Sequence, residues 1–403
     1  MTINCLDLFA GSGGFTLGLK EAGIKTKAAI EIDRFAVETF RHNFPKVDMH
    51  HRDITSFNDK EIKSNFTGVD LIVGGPPCQG FSVAGPSQYG KLDDRNNLVL
   101  EYLRFVKVIS PNMVIMENVK NFINGKLPSK DKVIDVVTNI LDKLGYDIKI
   151  EVLYAPKFGV PQSRTRVFVI AIKRGCGLPF PEIHETHGPD KKNYITVGEA
   201  ITDLPFISSS AGYDDSPDKL TYNEIELSTY QKMMRKDGKG IYNHISMKHT
   251  PRLIERFKHI PLGGSLLDVP LEHGQRARNG TDLDTKARFK MNNQRLDPSK
   301  ISHCVTASFQ STFVHPVMNR NLTAREGARL QSFPDKFIFK GPRTLMSKSL
   351  LIRENREHEI GLSQYNQIGN SVPPLLAKAI GSAIVKSFKH KVNDTRRATH
   401  EFA

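Results

Sequence analysis

Ile3-Asn4-Cys5-Leu6-Asp7-Leu8-Phe9-Ala10-Gly11-Ser12-Gly13-Gly14 is a short apolar run that stops at a cluster of small residues. Residues 3–9 predict a strand, 10–14 a glycine-rich turn, and the amphipathic stretch 15–22 a helix. Strand, glycine turn and helix form the first unit of a nucleotide-type α/β domain, where backbone approaches a ligand closely at the helix start. Gly11 and Gly13 fit the first half of a dinucleotide fingerprint, but its third glycine position falls on Thr16, so a pyrophosphate ligand is not indicated.

The next expected strand, 26–32, carries Glu31 near its end, twenty residues after Gly11. An acid there can accept hydrogen bonds from a ribose diol, and Ile32 follows as an apolar face. A third unit ends near Asp53 and Ile54, acid plus aliphatic again, suited to the amino edge and flat face of an adenine. Asp33, Asp53 and Asn58 also precede expected helices, and each acid taken alone reads first as an N-cap. Repetition of the acid at successive strand ends favours a cofactor. The ligand so described is an adenosine without a phosphate grip, which fits S-adenosylmethionine better than NAD.

The expected fourth strand, 69–74, runs into Gly75-Pro76-Pro77-Cys78-Gln79-Gly80-Phe81-Ser82. Proline fixes φ and glycine permits close approach, so this turn can aim one thiol at a substrate. A buried turn cysteine is the other reading, and Cys78 alone does not decide between them. The fifth strand, 112–116, delivers Glu117-Asn118-Val119. In a doubly wound sheet the first, fourth and fifth strands are neighbours, so the glycine turn, Cys78 and Glu117 share one crevice. A carboxyl beside a thiol is an acid and nucleophile pair. Crossover helices are expected over 98–108 and 131–144. A strand over 148–155 leads into another over 167–172, preceded by Gln162-Ser163-Arg164-Thr165-Arg166. Arg164 and Arg166 alternate onto one side of an extended strand, either as solvated edge residues or as part of the site.

The chain has 403 residues, 39% hydrophobic and 25% charged, enough for two or three domains with substantial cores. No apolar run approaches the roughly 18 residues that span a bilayer, and the first residues carry no signal-peptide pattern, so no membrane association and a cytoplasmic location are expected. Cys5, Cys78, Cys176 and Cys304 form no Cys-x-x-Cys pair. Neither disulfides nor a metal is predicted, and His184-Glu185-Thr186-His187 reads as a loop. The net charge of +14 calls for an acidic partner such as nucleic acid, or describes a merely basic surface.

At this point the chain resembles the DNA (cytosine-5)-methyltransferases. The resemblance rests on Asp7 to Gly14, Glu31, Asp53, Gly75 to Ser82, Met116 to Val119, Gln162-x-Arg164-x-Arg166, Arg325-Glu326-Gly327-Ala328-Arg329-Leu330-Gln331-Ser332-Phe333-Pro334 and Gln367-Ile368-Gly369-Asn370-Ser371-Val372-Pro373-Pro374, in family order. It implies a doubly wound, mostly parallel Rossmann-like α/β sheet with a smaller irregular target-recognition domain. It implies catalysis by Cys78 as nucleophile at cytosine C6, Glu117 at N3, Arg166 at O2, and Arg164 holding the catalytic loop. Around S-adenosylmethionine it places Phe9, Ala10, Gly11, Ser12, Gly13, Gly14, Glu31, Ile32, Asp53, Ile54, Gly75, Pro77, Leu100, Asn370, Ser371 and Val372. Ser82 and Arg95 are implied as phosphate contacts, within a lid over 81–97. Double-stranded DNA is the implied partner, with a cognate restriction endonuclease beside it and the enzyme a monomer. The related branch that methylates transfer RNA carries a Cys-Phe-Thr signature that is absent here.

Past Arg174 the breakers Gly175, Gly177, Pro179 and Pro181 mark a boundary. The expected domains are 1–183 for catalysis and cofactor binding, 184–361 for target recognition, and 362–403 as a segment returning to the first. Lys248, Arg252, Arg256, Lys258, Arg276, Arg278, Lys286, Arg288, Lys290 and Arg295 form a basic series suited to a DNA groove. Arg325 and Arg329 read equally as ion-pair partners and DNA contacts. The charged stretch 341–361 is longer than the family pattern and is expected as an insertion, helical or disordered. A helix over 375–388 and a frayed tail close the chain.

Overall fold

The computed structural model describes residues 2–77, 97–125, 131–208, 220–275, 292–344 and 347–401. Cys78, Ser82, Arg95, Arg276, Arg278, Lys286, Arg288 and Lys290 lie outside these residues, as does the expected lid except for its last position. The chain divides into two compact units: 1–158 with 165–186 and 372–403, and 159–164 with 187–371.

The first unit is a seven-stranded sheet with helices between the strands. Its elements are β1 (Asn4–Leu8), α1 (Gly14–Glu21), β2 (Lys25–Glu31), α2 (Arg34–Asn43), β3 (Asp48–His51), α3 (Asp59–Asn65), β4 (Leu71–Gly74), α4 (Asn97–Ile109), β5 (Met113–Val119), α5 (Val133–Lys143), β6 (Tyr146–Tyr154) and β7 (Thr165–Lys173). Strand order is β3-β2-β1-β4-β5-β7-β6. The first five strands pair in parallel, and β7 runs antiparallel to both β5 and β6. The central strands are apolar on both faces because helices cover both faces. Leu6, Leu8, Ile30, Ile72, Val114, Met116 and Val169 pack against Tyr102, Phe105, Val106, Val137 and Leu141. Helix starts follow local chemistry: Asp33 accepts the Ala36 N–H, and Asn58 and Glu61 form a capping box.

The second unit holds short helices, α6 (Val197–Ile201), α7 (Thr229–Arg235), α8 (Pro251–Lys258), α9 (Phe309–Thr312), α10 (Ala324–Leu330), α11 (Lys348–Arg353) and α12 (Gln364–Asn370), and the two-residue strands β8 (Gln294–Arg295) and β9 (Phe313–Val314). Arg329, fully buried in α10, bonds Asp335 at 2.6 Å and Asp203 at 3.2 Å. Arg325 donates to the carbonyls of Tyr242, Pro334 and Phe337. Both arginines are therefore structural ties of the second unit. Arg256 and Arg295 are likewise buried against backbone carbonyls, while Lys248, Arg252 and Lys258 stay exposed. In the charged stretch 341–361, α11 forms and Arg356 pairs with Glu354 and Glu359.

The helix that returns to the first unit, α13 (Pro374–Glu401), runs well past the expected end at 388, so the tail is helical through 401. It lies on α1 at Gly18, where a Cβ would sit 2.4 Å from both Ala377 Cβ and the Pro374 carbonyl oxygen. The two units differ from the expected domains in three places, and residues 184–186 belong to the first unit. Residues 159–164 and 362–371 belong to the second unit because Gln162, Arg164 and α12 are bonded there.

Candidate active site

Glu117 and Arg166 face each other across the β5–β7 pair, Arg166 Nε lying 2.9 Å from Glu117 Oε1 with each side chain about one-seventh exposed (14% and 13%). The sequence reading placed Glu117 just past its strand and Arg166 just before the next. Both are inside strands, because β5 runs on to Val119 and β7 begins at Thr165. Antiparallel pairing then sets Val119 opposite Arg166 and Glu117 opposite Phe168. Strand backbone holds both groups, which favours fixed geometry over loop mobility.

The turn after β4 emerges beside this pair. Gly75 packs so closely on Glu117 that a Cβ would lie 2.8 Å from Oε2. Asn118 donates from Nδ2 to the Pro76 carbonyl at 3.1 Å, and its Oδ1 accepts the Val119 N–H at 2.9 Å. Asn118 thereby ties the Gly75-Pro76-Pro77 turn to β5 one residue from the carboxylate. No separate role for Asn118 was expected from sequence; the signal was a buried amide at the end of an apolar strand.

The second part of the crevice is the turn after β1. Phe9 adopts φ 56°, a left-handed conformation unusual for a side chain of this size, and Gly11 and Gly13 follow at 54° and 96°. Gly13 admits no side chain, since a Cβ would meet Phe44 at 2.5 Å, whereas Gly11 opens onto free space. Glu31 fixes this turn: Oε2 accepts the Gly11 N–H at 2.9 Å, and Oε1 accepts those of Ile32 and Asp33 at 2.8 Å. Burial raises the Glu31 pKa, and the three N–H donors oppose that rise. Ile32 is 62% exposed beside it, but Ile54 is 4% exposed and belongs to the core. Asp53 caps the short turn of helix after it, accepting the Thr55 N–H and hydroxyl. Leu100 is exposed on the first turn of α4.

Beneath the turn, Thr16 donates its hydroxyl to Asp7 Oδ2 at 2.7 Å, while Oδ1 is buried with no hydrogen-bond partner. Burial pushes the Asp7 carboxyl up to about 7, and the Thr16 bond only partly offsets it.

Arg164 and Arg166 do not share a face. Arg164 precedes β7, lies in the second unit, and donates to the carbonyls of Val305, Gly369 and Ser371 at 2.8, 3.0 and 3.2 Å. Gln162 accepts the Val305 N–H and donates to the Leu330 carbonyl, and Gln331 donates to Ile368 and Ser371. Three separated sequence motifs thus meet in one buried knot. Asn370 is exposed at its edge, and Ser371 and Val372 are buried.

Among the described residues no cluster of His, Cys, Asp and Glu could hold a metal ion, and no single helix is long and apolar enough to cross a membrane. Residues 3–386 match the family model described as C-5 cytosine-specific DNA methylase. The chain is 42% identical over 395 residues to the type II methyltransferase M.DdeI of Desulfomicrobium norvegicum, covering 98% of this chain and 91% of that one. It is 35% identical to the type II methyltransferase M1.HphI of Haemophilus parahaemolyticus, covering 96% and 87%. It also superimposes on a putative DNA modification methyltransferase encoded within an Escherichia coli prophage, with TM-score 0.72, 26% identity, and coverage of 96% and 100%.

Proposed function

This chain belongs to the C-5 cytosine-specific DNA methylase family and methylates DNA at cytosine C5, and we propose that it does so through Cys78, on a cytosine swung out of duplex DNA, with S-adenosylmethionine as donor. The observation that carries this reading is the Glu117–Arg166 pair beside a turn that Asn118 holds, since that turn leads directly into Cys78.

The residues after β1 suit the donor. Glu31 is held by backbone N–H groups and keeps lone pairs for a ribose diol, Ile32 offers an exposed apolar face, and Gly11 leaves open space above the turn. Phe9, Ala10, Ser12, Gly13 and Gly14 complete that turn, and Asp53, Gly75, Pro77, Leu100, Asn370, Ser371 and Val372 are assigned around it by family pattern. When bound, S-adenosylmethionine supplies an electrophilic methyl group.

The chain's own residues prepare the base. Cytosine C5 is a weak nucleophile, so the Cys78 thiolate adds to C6, forming a C–S bond and pushing the ring electrons toward C5 and N3. Glu117 gives a proton to N3 as that charge develops. Arg166 orients Glu117 through Nε and leaves guanidinium N–H groups for the base O2. Once C5 carries the methyl, solvent water takes the C5 proton as the C6–S bond breaks and the thiolate returns, and N3 gives its proton back to Glu117. A base stacked in a duplex presents neither face of C5 or C6, hence the flipped geometry.

Arg164 acts at a distance from the base, as a positioning residue for the segment that ends at Ser371. The second unit serves as the target-recognition domain. Ser82 and Arg95 are assigned to DNA phosphates, and the lid to the residues around them. A single chain supplies every group this chemistry needs, so the catalytic unit is a monomer. It acts on DNA in the cytoplasm, and a restriction endonuclease of the same specificity is the fitting partner, given the type II names of its relatives. Bisulfite sequencing of DNA from cells expressing the chain tests the reading. One cytosine context should be protected, and Cys78→Ser should abolish the protection; protection of no context, or its survival in Cys78→Ser, overturns it.

A further inference from the structure

We propose that the outer edge of β6 is a pairing surface for a second copy of this chain. β6 is the last strand of the sheet and runs nine residues with an unbroken register against β7. Among the described residues no strand pairs with its other side. Edge strands are ordinarily blunted by proline, a bulge, charged side chains or very short length, and of these β6 carries only charges, Asp147, Lys149 and Glu151, each already ion-paired. The opposite edge strand, β3, has only four residues. β6 has no proline and no bulge, and Ile150 and Val152 on one face of it are 41% and 48% exposed.

The hydrogen bonds define which residues point outward. Arg174 N–H bonds the Gly145 carbonyl, and Lys173 N–H bonds the Asn112 carbonyl on the other flank of β7. Since bonded pairs alternate along an antiparallel ladder, Asp147, Lys149, Glu151 and Leu153 turn their N–H and C=O toward β7. Ile148, Ile150 and Val152 turn theirs outward. The Tyr146 carbonyl is already taken by Arg174 Nη2 at 3.2 Å, so the free edge begins at Ile148.

The side chains are self-complementary in one register. An antiparallel pair of β6 strands centred on Ile150 sets Ile150 against Ile150, Ile148 against Val152, and Lys149 against Glu151 of the second copy. Ile148, Ile150 and Val152 then bond in register, the exposed apolar side chains cover one another, and opposite charges meet on the other face. Centring the pair on Lys149 or on Glu151 would oppose like charges. In the single chain Lys149 and Glu151 satisfy each other at 2.7 Å, so the two arrangements exchange partners and strand neither charge. Such a contact is small, which makes the dimer a reversible one. It is independent of the catalytic reading, because the catalytic unit remains one chain.

Sedimentation velocity on the full chain, from low to high micromolar, tests this. The average mass should climb from that of one chain toward two. Lys149→Glu and Glu151→Lys should each weaken association by about tenfold, since each sets like charges across both symmetry-related pairs. The two changes combined in one chain should restore it. Ile150→Pro, which deletes the outward N–H at the centre, should abolish it while methyl transfer, measured alongside, shows the fold intact. A chain that stays at single mass throughout overturns the proposal. So does association indifferent to both charge reversals, or a double reversal as weak as either single one.

Discussion

Arg166 grips Glu117 through its Nε, at 2.9 Å, while Nη1 of the same guanidinium donates to the Thr165 carbonyl at 2.8 Å. A lysine has no planar fork with which to orient a carboxylate and serve a second acceptor. Arg166→Lys should therefore lower kcat with little change in stability. Glu117→Gln should lower it further, by roughly a hundred- to ten-thousand-fold, the range associated with a lost general acid. Single-turnover methyl transfer to DNA measures both.

Gly75→Ala is expected to separate folding from chemistry. The added Cβ would fall 2.8 Å from Glu117 Oε2, the end of a side chain that can swing aside. The melting temperature should hardly move, while kcat should fall on the order of a hundredfold, the cost of a catalytic group displaced by about an ångström. Equal loss of both would show that the contact is packing alone.

Glu31→Gln should act on the cofactor and leave the base alone. One carboxylate serves the N–H groups of Gly11, Ile32 and Asp33 at once, and an amide offers a single acceptor oxygen. KM for S-adenosylmethionine should rise roughly ten- to a hundredfold, with kcat at saturation nearly unchanged. Initial rates across cofactor concentrations give the split.

The two units should respond to pH with opposite signs. Folded Asp7 titrates at about 7 against an ordinary 3.8, because burial disfavours its charge. It keeps a proton the unfolded chain has released, so its contribution is fully present below about pH 4 and is lost as pH rises through 7. His315 is held down to about 3 and His249 to about 4, against 6.5, by burial and by Arg320 nearby. The unfolded chain gains those protons first, so their contribution is lost as pH falls below 6.5. Thermal unfolding across pH should show Asp7→Asn flattening the loss toward neutrality and His249→Gln flattening the loss toward acid.

Arg329→Met should cost roughly 3–5 kcal/mol, because it takes away the buried cation that bonds Asp335 and Asp203 together, leaving Asp335 the Tyr222 hydroxyl and Asp203 only Arg235. Urea denaturation of the mutant and of Arg329→Met/Asp335→Leu separates causes: removing a carboxylate as well should recover part of the loss.

Much of this was legible in the sequence because it lies in local patterns. The glycine turn, Glu31 at the end of β2, and the neighbouring of β1, β4 and β5 follow from strand and turn chemistry within a few dozen residues. Long-range partners were not legible. Nothing near Arg164 in sequence announces Val305 or Gly369, and the ion-paired partners of Arg329 lie 126 and 6 residues away. Spacing also does not separate two uses of one residue type. Asp53 is a helix cap in the structure, and Ile54 is core, although each sits where a ligand contact fits equally well. The alternation that put Arg164 and Arg166 on one face failed because the strand begins only at Thr165.

The seat of α13 on Gly18 ties an early helix to a late one. During synthesis the ribosome must pass nearly the whole message before the face of α1 that carries Gly18 can be covered. A polypeptide halted anywhere between residues 187 and 371 would hold every side chain proposed for catalysis, from Cys78 to Arg166, and still lack the helix that completes the sheet's housing. Premature termination should thus yield silent protein in place of a fragment with partial or misdirected methylation.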